Sequence, residues 1–507
     1  MNAKQIPQLA LDLDAPDLTP LHRVGLTGLW MSLKCLEEQY PLSSQRVGNL
    51  SWILTPKEIQ LFWNGNDFEV LDWLLKQAFQ IDERGLICFL ALKSATTETA
   101  CKIVRHNLIR GTFLQHNKFY RSAGEKEQEL SVNQVKIQLS YQTVKWYYAQ
   151  DFAQKLCDQE NNLRKKTIKI TSGLYPGATV RHEKYRQSTA FEEKPALAFA
   201  LLFAPIACRY YWLSPYVFDR HFLFAVIIPE VLNLEESAEA CWRAANRDYY
   251  SFFASCSAEA GLKECAVSPK LPQRLEILVF GKTRWSSQQK TITQETTISV
   301  TKSMAQFYQQ LCQCFPREQL VSVGKVHYSY FREMISKNLV AGSPWWSDFL
   351  EQVAQFDSET RYFFLRRLFQ EGQGLRQMIE KIQLSNEQQI LFVQVCHEAL
   401  QQIYARIYSK TGEGQYPRIQ REKEDILRKL ENCQSPSQFR QFMVRFLAKA
   451  GYIKLLQEHW EELMPAITVQ ADWKLCQDLV FLAIASYPIS KKADQSQETN
   501  DASMESS

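Results

Sequence analysis

The rhythm of apolar and polar positions changes along the chain, and with it the elements it predicts. Thr19-Pro20 joins a hydroxyl N-cap to a proline at the first helical position, which predicts a helix reaching about Glu38. Leu21, Gly25, Gly28 and Leu29 share one side of that helix. A glycine inside a helix costs about 1 kcal/mol against alanine, so the pair predicts close approach by another backbone. Glu58–Trp63 reads as a strand, and Asp67 as the cap of a helix through Phe79. Period-2 alternation at Val135, Ile137, Leu139 and Tyr141, and again over Thr167–Thr171, predicts half-buried strands. Phe222–Ile228 has strand length, Arg274–Gly281 and Thr291–Val300 read as a hairpin, and Glu236–Ala258 reads as a helix. The longest apolar run, Ala196–Cys208, contains Pro205 and predicts a buried strand or helix.

From Ser343 onward the strand signals stop. Trp345–Phe356, Ser358–Ile382, Asn386–Tyr408, Gln420–Glu431, Pro436–Ala450, Ile453–Leu463 and Gln470–Tyr487 carry helical periodicity, with Ser385 and Ser435 as caps. The expected fold class is an α+β N-terminal part followed by an all-α helical bundle. The division falls at Gly342-Ser343-Pro344: an α+β domain over 1–342, a bundle over 343–487, and a disordered polar tail over 488–507.

Composition narrows the function classes. A chain of 507 residues, 45% apolar and 22% charged, is globular and has material for several cores. The net charge of +4 conceals an uneven distribution. Between Cys101 and Ala190 there are 16 basic residues against 7 acidic ones, so the rest of the chain is slightly acidic. Such a basic middle points to a polyanion site. The 13 cysteines are scattered, without zinc spacing or a disulfide framework, and Met1–Thr19 holds no signal-peptide core. No apolar run reaches the roughly 20 residues of a membrane span. The expected setting is a reduced cytoplasm, with no metal, no cofactor and no membrane.

Catalytic signatures are missing: no nucleophile elbow, no His-Glu-x-x-His, no Walker loop, and none of the eight histidines is followed by Asp. The candidates therefore lie in the basic middle. Leu163-Arg-Lys-Lys-Thr-Ile-Lys-Ile170 supplies Arg164, Lys165, Lys166 and Lys169, and runs into Gly173-Leu-Tyr-Pro-Gly177 and then Arg181, His182, Lys184 and Arg186. Cations interleaved with Tyr175 around glycine turns suit phosphate neutralisation with base stacking. A second cluster holds Arg105, Asn107, Arg110, Asn117, Lys118 and Arg121. Asn107 and Asn117 are candidates for reading base edges in a minor groove. Two other readings compete: a metal-independent RNA endonuclease with His182 as general base, and a structural interaction protein whose basic face is incidental.

Three segments carry a family resemblance: Leu21-His-Arg-Val-Gly-Leu-Thr-Gly-Leu29, Gly173-Leu-Tyr-Pro-Gly-Ala-Thr-Val-Arg-His182, and the run from Ala471 to Tyr487. Together they resemble the large subunit of a type I-B CRISPR Cascade complex, the "Cas-eight" family in its Myxococcus-type branch. The resemblance implies a non-catalytic subunit at the 5′ end of a guide RNA, which recognises the motif beside a double-stranded DNA target (the PAM) and starts the R-loop. It implies a C-terminal bundle like the Cascade small subunit. The implied partners are the guide RNA (crRNA), target DNA, and the backbone, handle-binding and RNA-processing subunits. Either a helicase-nuclease or, in transposon-carried complexes, transposition proteins would act downstream. Guide pairing supplies sequence specificity in such systems, and protein supplies motif reading and backbone contacts.

Overall fold

The computed structural model describes residues 6–488 except 97, 116–117, 171–173, 177–190, 214–222, 268–273, 283–289, 300, 317–320, 324–325, 357, 383, 385, 411–414 and 469–472. The expected tail beyond Pro488 and the Ser385 cap lie outside the described residues. The chain forms two compact units, one chiefly up to Ala305 and the other chiefly from Gln306.

The first unit is α+β. Its opening helix, Pro20–Gln39, starts where the sequence places it, with Thr19 as N-cap and His22 closing a capping box. Gly25 and Gly28 do bring another backbone close. A Cβ on Gly25 would stand 2.2 Å from the Ala200 carbonyl oxygen, and one on Gly28 the same distance from that of Phe203. The facing segment is the long apolar run, which forms two short helices, Pro195–Leu202 and Ala204–Ala207. Around this contact lie a three-stranded sheet (Leu9–Asp12, Glu58–Phe62, Ser51–Leu54) and a five-stranded one. The larger sheet runs in the order Phe253–Ala254, Arg209–Leu213, Leu223–Pro229, Arg274–Lys282, Lys290–Ser299, so the expected hairpin forms its edge.

A second layer consists of a helix, Thr99–Thr112, under a ribbon of two 13-residue strands, Tyr120–Val132 and Val135–Tyr147. His106 ties them together. Its Nδ1 accepts the Ile87 amide at 3.0 Å, which leaves Nε2 to donate to the Gln142 carbonyl at 2.7 Å.

Three expectations need correction. The helix expected over Glu236–Ala258 is two, Leu234–Ala245 and Ser257–Val267. Asp248 accepts the Ser251 amide and bends the chain into a short turn that buries Tyr249 and Phe252. The helix expected over Ile453–Leu463 breaks at His459 into Lys454–Glu458 and Trp460–Thr468. The division at Gly342 falls inside the second unit. Gly342 is only the left-handed C-cap of helix Tyr330–Ala341. The Glu371 carboxylate holds the start of that helix, accepting from Ser329 Oγ at 2.7 Å and the Phe331 amide at 3.1 Å. Asn338 bonds the carbonyls of Trp345 and Ser347 across the supposed linker.

The second unit is a helical bundle. Ser358–Ile382 and Pro436–Ala450 match the periodicity residue for residue, the latter capped by Ser435. Its central helix, Trp473–Ser486, is buried on every side from Cys476 onward, and Gly372 admits the Ala485 carbonyl. Asp478 on that helix accepts the amides of Asp348 and Leu350, and burial pushes its carboxyl up to about 7.

Two predictions follow from this packing. Gly25→Ala or Gly28→Ala meets backbone rather than a movable side chain, so each should cost about 1–3 kcal/mol or more, read as a lower denaturant midpoint. Burial holds the imidazoles of His106 and His397 down to about 4. The unfolded chain takes up those protons below about 6.5 and the folded chain does not. Their contribution to stability is therefore intact above pH 6.5 and falls as pH drops toward 4, by about 3 kcal/mol per histidine, against an opposite contribution from the Asp478 carboxyl, which burial holds up to about 7. A pH dependence of the melting temperature that is the same in wild type, His106→Gln and His397→Gln would refute the assignment.

Candidate nucleic-acid interface

Among the described residues the basic middle resolves into two patches on the first unit. One sits at the root of the ribbon. Tyr120 and Arg121 open its first strand and face Tyr147 and Trp146 at the end of the second. The Arg121 guanidinium lies 5.3 Å from the Trp146 ring, and Arg110 lies 5.5 Å from the Tyr120 ring. Trp146 is fixed by its Nε1 donating to Asp151 at 2.5 Å. Lys118 and Lys145 are exposed beside them in sequence. Cations laid on aromatic rings at an exposed edge give a surface with affinity for both phosphate and base. Farther out the first strand turns acidic, with Glu125, Glu127 and Glu129 on alternate positions, so only the root suits a polyanion.

Not every residue of this cluster serves there. Arg105 is held inside the fold, donating to Thr96 Oγ1 and to the Ala245 carbonyl, with its guanidinium over Phe252. Burial lowers its pKa to about 10. Its helix turns it toward the core, and it bridges elements there. Asn107 donates its side-chain amide to the Ser140 carbonyl at 3.0 Å, which leaves its oxygen. Asn117 lies outside the described residues.

The second patch is the run Arg164–Lys169. Leu163 bridges to Cys157, and Asp158 gathers the turn by accepting the amides of Glu160 and Asn162. Arg164 is anchored through its Nε to the Cys157 carbonyl at 2.8 Å. Lys165 and Lys166 are exposed and follow directly. Ile168 and Ile170 then point into the core while Lys169 points out, in a short strand paired with Phe191–Glu193. Alternation of this kind keeps the cations on one face.

Tyr175 departs from its expected role as an open stacking platform. It is half-buried, packs against the core and meets His22 edge-on with ring centroids 6.4 Å apart; burial pushes its hydroxyl up to about 12. Arg181, His182, Lys184 and Arg186 lie outside the described residues. Two of the three family-like segments thus meet in space at His22 and Tyr175, and the third is the bundle's central helix.

One residue sequence reasoning missed is Asp67. Asn66, not Asp67, caps the helix Asp67–Ala78. The Asp67 carboxylate instead accepts Trp63 Nε1 and the Leu163 amide, each at 2.7 Å, at the entrance to the basic run. The fold-dependent meeting of positions 67 and 163 leaves no trace in local spacing.

Among the described residues no group of three or more His, Cys, Asp or Glu is placed to hold a metal ion. None of their helices is long and apolar enough to cross a membrane. All 13 cysteines are free thiols.

Comparison with known proteins agrees with the resemblance. Residues 10–202 match the DevT N-terminal domain and residues 380–507 the DevT C-terminal domain. A CRISPR-associated protein Cas8a1/Csx13 of Myxococcus xanthus (strain DK1622) is 25% identical over 532 aligned positions, covering 94% of this chain and 88% of that protein. With both DevT domains in order, the chain belongs to the DevT family, and it is similar nearly end to end to a Cas8-type CRISPR-associated protein.

Proposed function

We propose that this protein is the non-catalytic large subunit of a CRISPR Cascade complex. In this reading it works in the cytoplasm, binds the 5′ end of the guide RNA, and recognises the adjacent motif in duplex DNA to start the R-loop. The observation that carries the reading is the pair of exposed basic patches on one unit. Arg110 and Arg121 are laid on rings at the ribbon root, Arg164, Lys165 and Lys166 are exposed just ahead of a braced strand, and Lys169 projects from it.

The physical division of labour is consistent with such a subunit. Fixed cations give sequence-independent affinity for a backbone, and guide pairing supplies sequence. Asn107 keeps an oxygen for a base edge one helical turn before Arg110. The partners in this reading are the guide RNA, target DNA and the backbone, handle-binding and RNA-processing subunits. A helicase-nuclease or transposition proteins act downstream.

The test is purification of the full chain from its host, with mass spectrometry of partners and sequencing of bound RNA. A repeat-derived RNA of uniform length, recovered with several other CRISPR-associated subunits, is the expected result. RNA cleavage in EDTA that His182→Ala abolishes would replace this reading with the endonuclease. In a salt series, Lys165→Glu with Lys166→Glu should lower the slope of log affinity by about 1.4 on a single strand or about 1.8 on duplex DNA. Binding unchanged at every salt concentration would remove this segment from the interface.

A further inference from the structure

The basic run Arg164–Lys169 is bracketed by two half-buried carboxylate contacts, one to Asp67 and one between Glu193 and His22. At its entrance, Asp67 Oδ2 accepts the Leu163 amide at 2.7 Å, while Oδ1 accepts the indole of the buried Trp63 at 2.7 Å. The neighbouring Phe68 amide donates to the Asn161 carbonyl at 3.2 Å, so the entry turn is sewn to the start of one helix. Since Asn66 already caps that helix, an acid at position 67 is not needed for capping.

At the exit, the strand Ile168–Ile170 is held by Phe191–Glu193, with Lys169 opposite Glu192 and Ile168 opposite Glu193. Glu193 Oε2 lies 3.3 Å from His22 Nε2. His22 is 1% exposed, and its Nδ1 accepts the Thr19 amide at 3.2 Å, so Nε2 is the nitrogen that presents a hydrogen toward Glu193. The charged groups around this contact are Asp17 and Lys194, which pair with each other at 2.6 Å.

We infer that Asp67 and His22 are positioning residues for nucleic-acid binding by Arg164–Lys169. They fix both ends of the run so that its cations are already spaced when a phosphate backbone arrives. This rests on the reading of that run as part of the interface. Ordering a loop and its long side chains on binding weakens association, and bracing it beforehand removes that loss.

Two substitutions separate positioning from stability. His22→Asn keeps an acceptor at the place of Nδ1 for the Thr19 amide, and so the helix start, but its shorter amide stops short of the place of Nε2 and cannot reach Glu193. Asp67→Asn keeps one acceptor and exchanges the other for a donor, which severs either the Leu163 or the Trp63 contact. The full chain is assayed for binding of a labelled single-stranded RNA and a labelled duplex DNA across a salt series. Melting temperature and the rate of tryptic cleavage within Arg164–Lys169 are measured alongside, with the Lys165→Glu/Lys166→Glu variant as reference.

The expected result for each positioning variant is a melting temperature near wild type and faster cleavage in the run. Affinity should fall about three- to tenfold with the salt slope unchanged, because the phosphate-contacting residues are still present. The reference variant instead loses slope. If the reference variant weakens binding but both positioning variants bind like wild type, the inference fails and the interface stands. If the reference variant itself binds like wild type, the interface reading falls and this inference with it.

Discussion

The first unit is organised by the distance at which two backbones can approach. Gly25 and Gly28 let the opening helix settle against the carbonyls of Ala200 and Phe203, where any side chain would collide. That contact sets more than local packing. His22 lies three residues before Gly25, hence near the same face, and the facing helix begins at Pro195, two residues after Glu193. Seating the glycines therefore brings His22 to Glu193, and Glu193 carries the strand that pairs with the basic run. A constraint on packing in the core is transmitted in this way to the exposed basic run Arg164–Lys169.

Several polar groups inside both units are held by a partner from another element. His106 joins an amide and a carbonyl from separate segments, and Glu371 collects the start of a helix 40 residues away. In the larger sheet, Glu264 joins Arg209 to the Tyr211 hydroxyl, with Arg247 alongside. An unmatched group in these places would cost more than the net gain of an ordinary hydrogen bond. The arrangement also explains why Arg105, in the middle of a basic cluster, is not a surface cation. It joins Thr96 and Ala245, and the helix that carries it has that face against the core.

Legibility in the sequence tracks how local each signal is. Thr19, Pro20 and Ser435 act within one turn of their own helices, and both helix starts are where those residues put them. The glycine pair announced a close approach but not its partner. The strand Tyr120–Val132 was invisible because its residues are mostly exposed and charged, so no apolar alternation marks it; it exists because the strand Val135–Tyr147 offers it an edge. The bundle's true beginning was hidden because Gly-Ser-Pro marks a linker and a helix C-cap equally well.

By itself, then, the sequence determined the class of each part, the capped helices and the concentration of positive charge between Cys101 and Ala190, since these depend on composition and on neighbours within a few residues. Only the tertiary structure decided which cations face outward, that Tyr175 serves packing, and that Asp67 meets Leu163 across 96 residues. Charge and periodicity are properties of a segment. A side chain's access to solvent and its hydrogen-bond partner are properties of whatever the fold places opposite it, and those partners are brought there by long-range packing that no local pattern encodes.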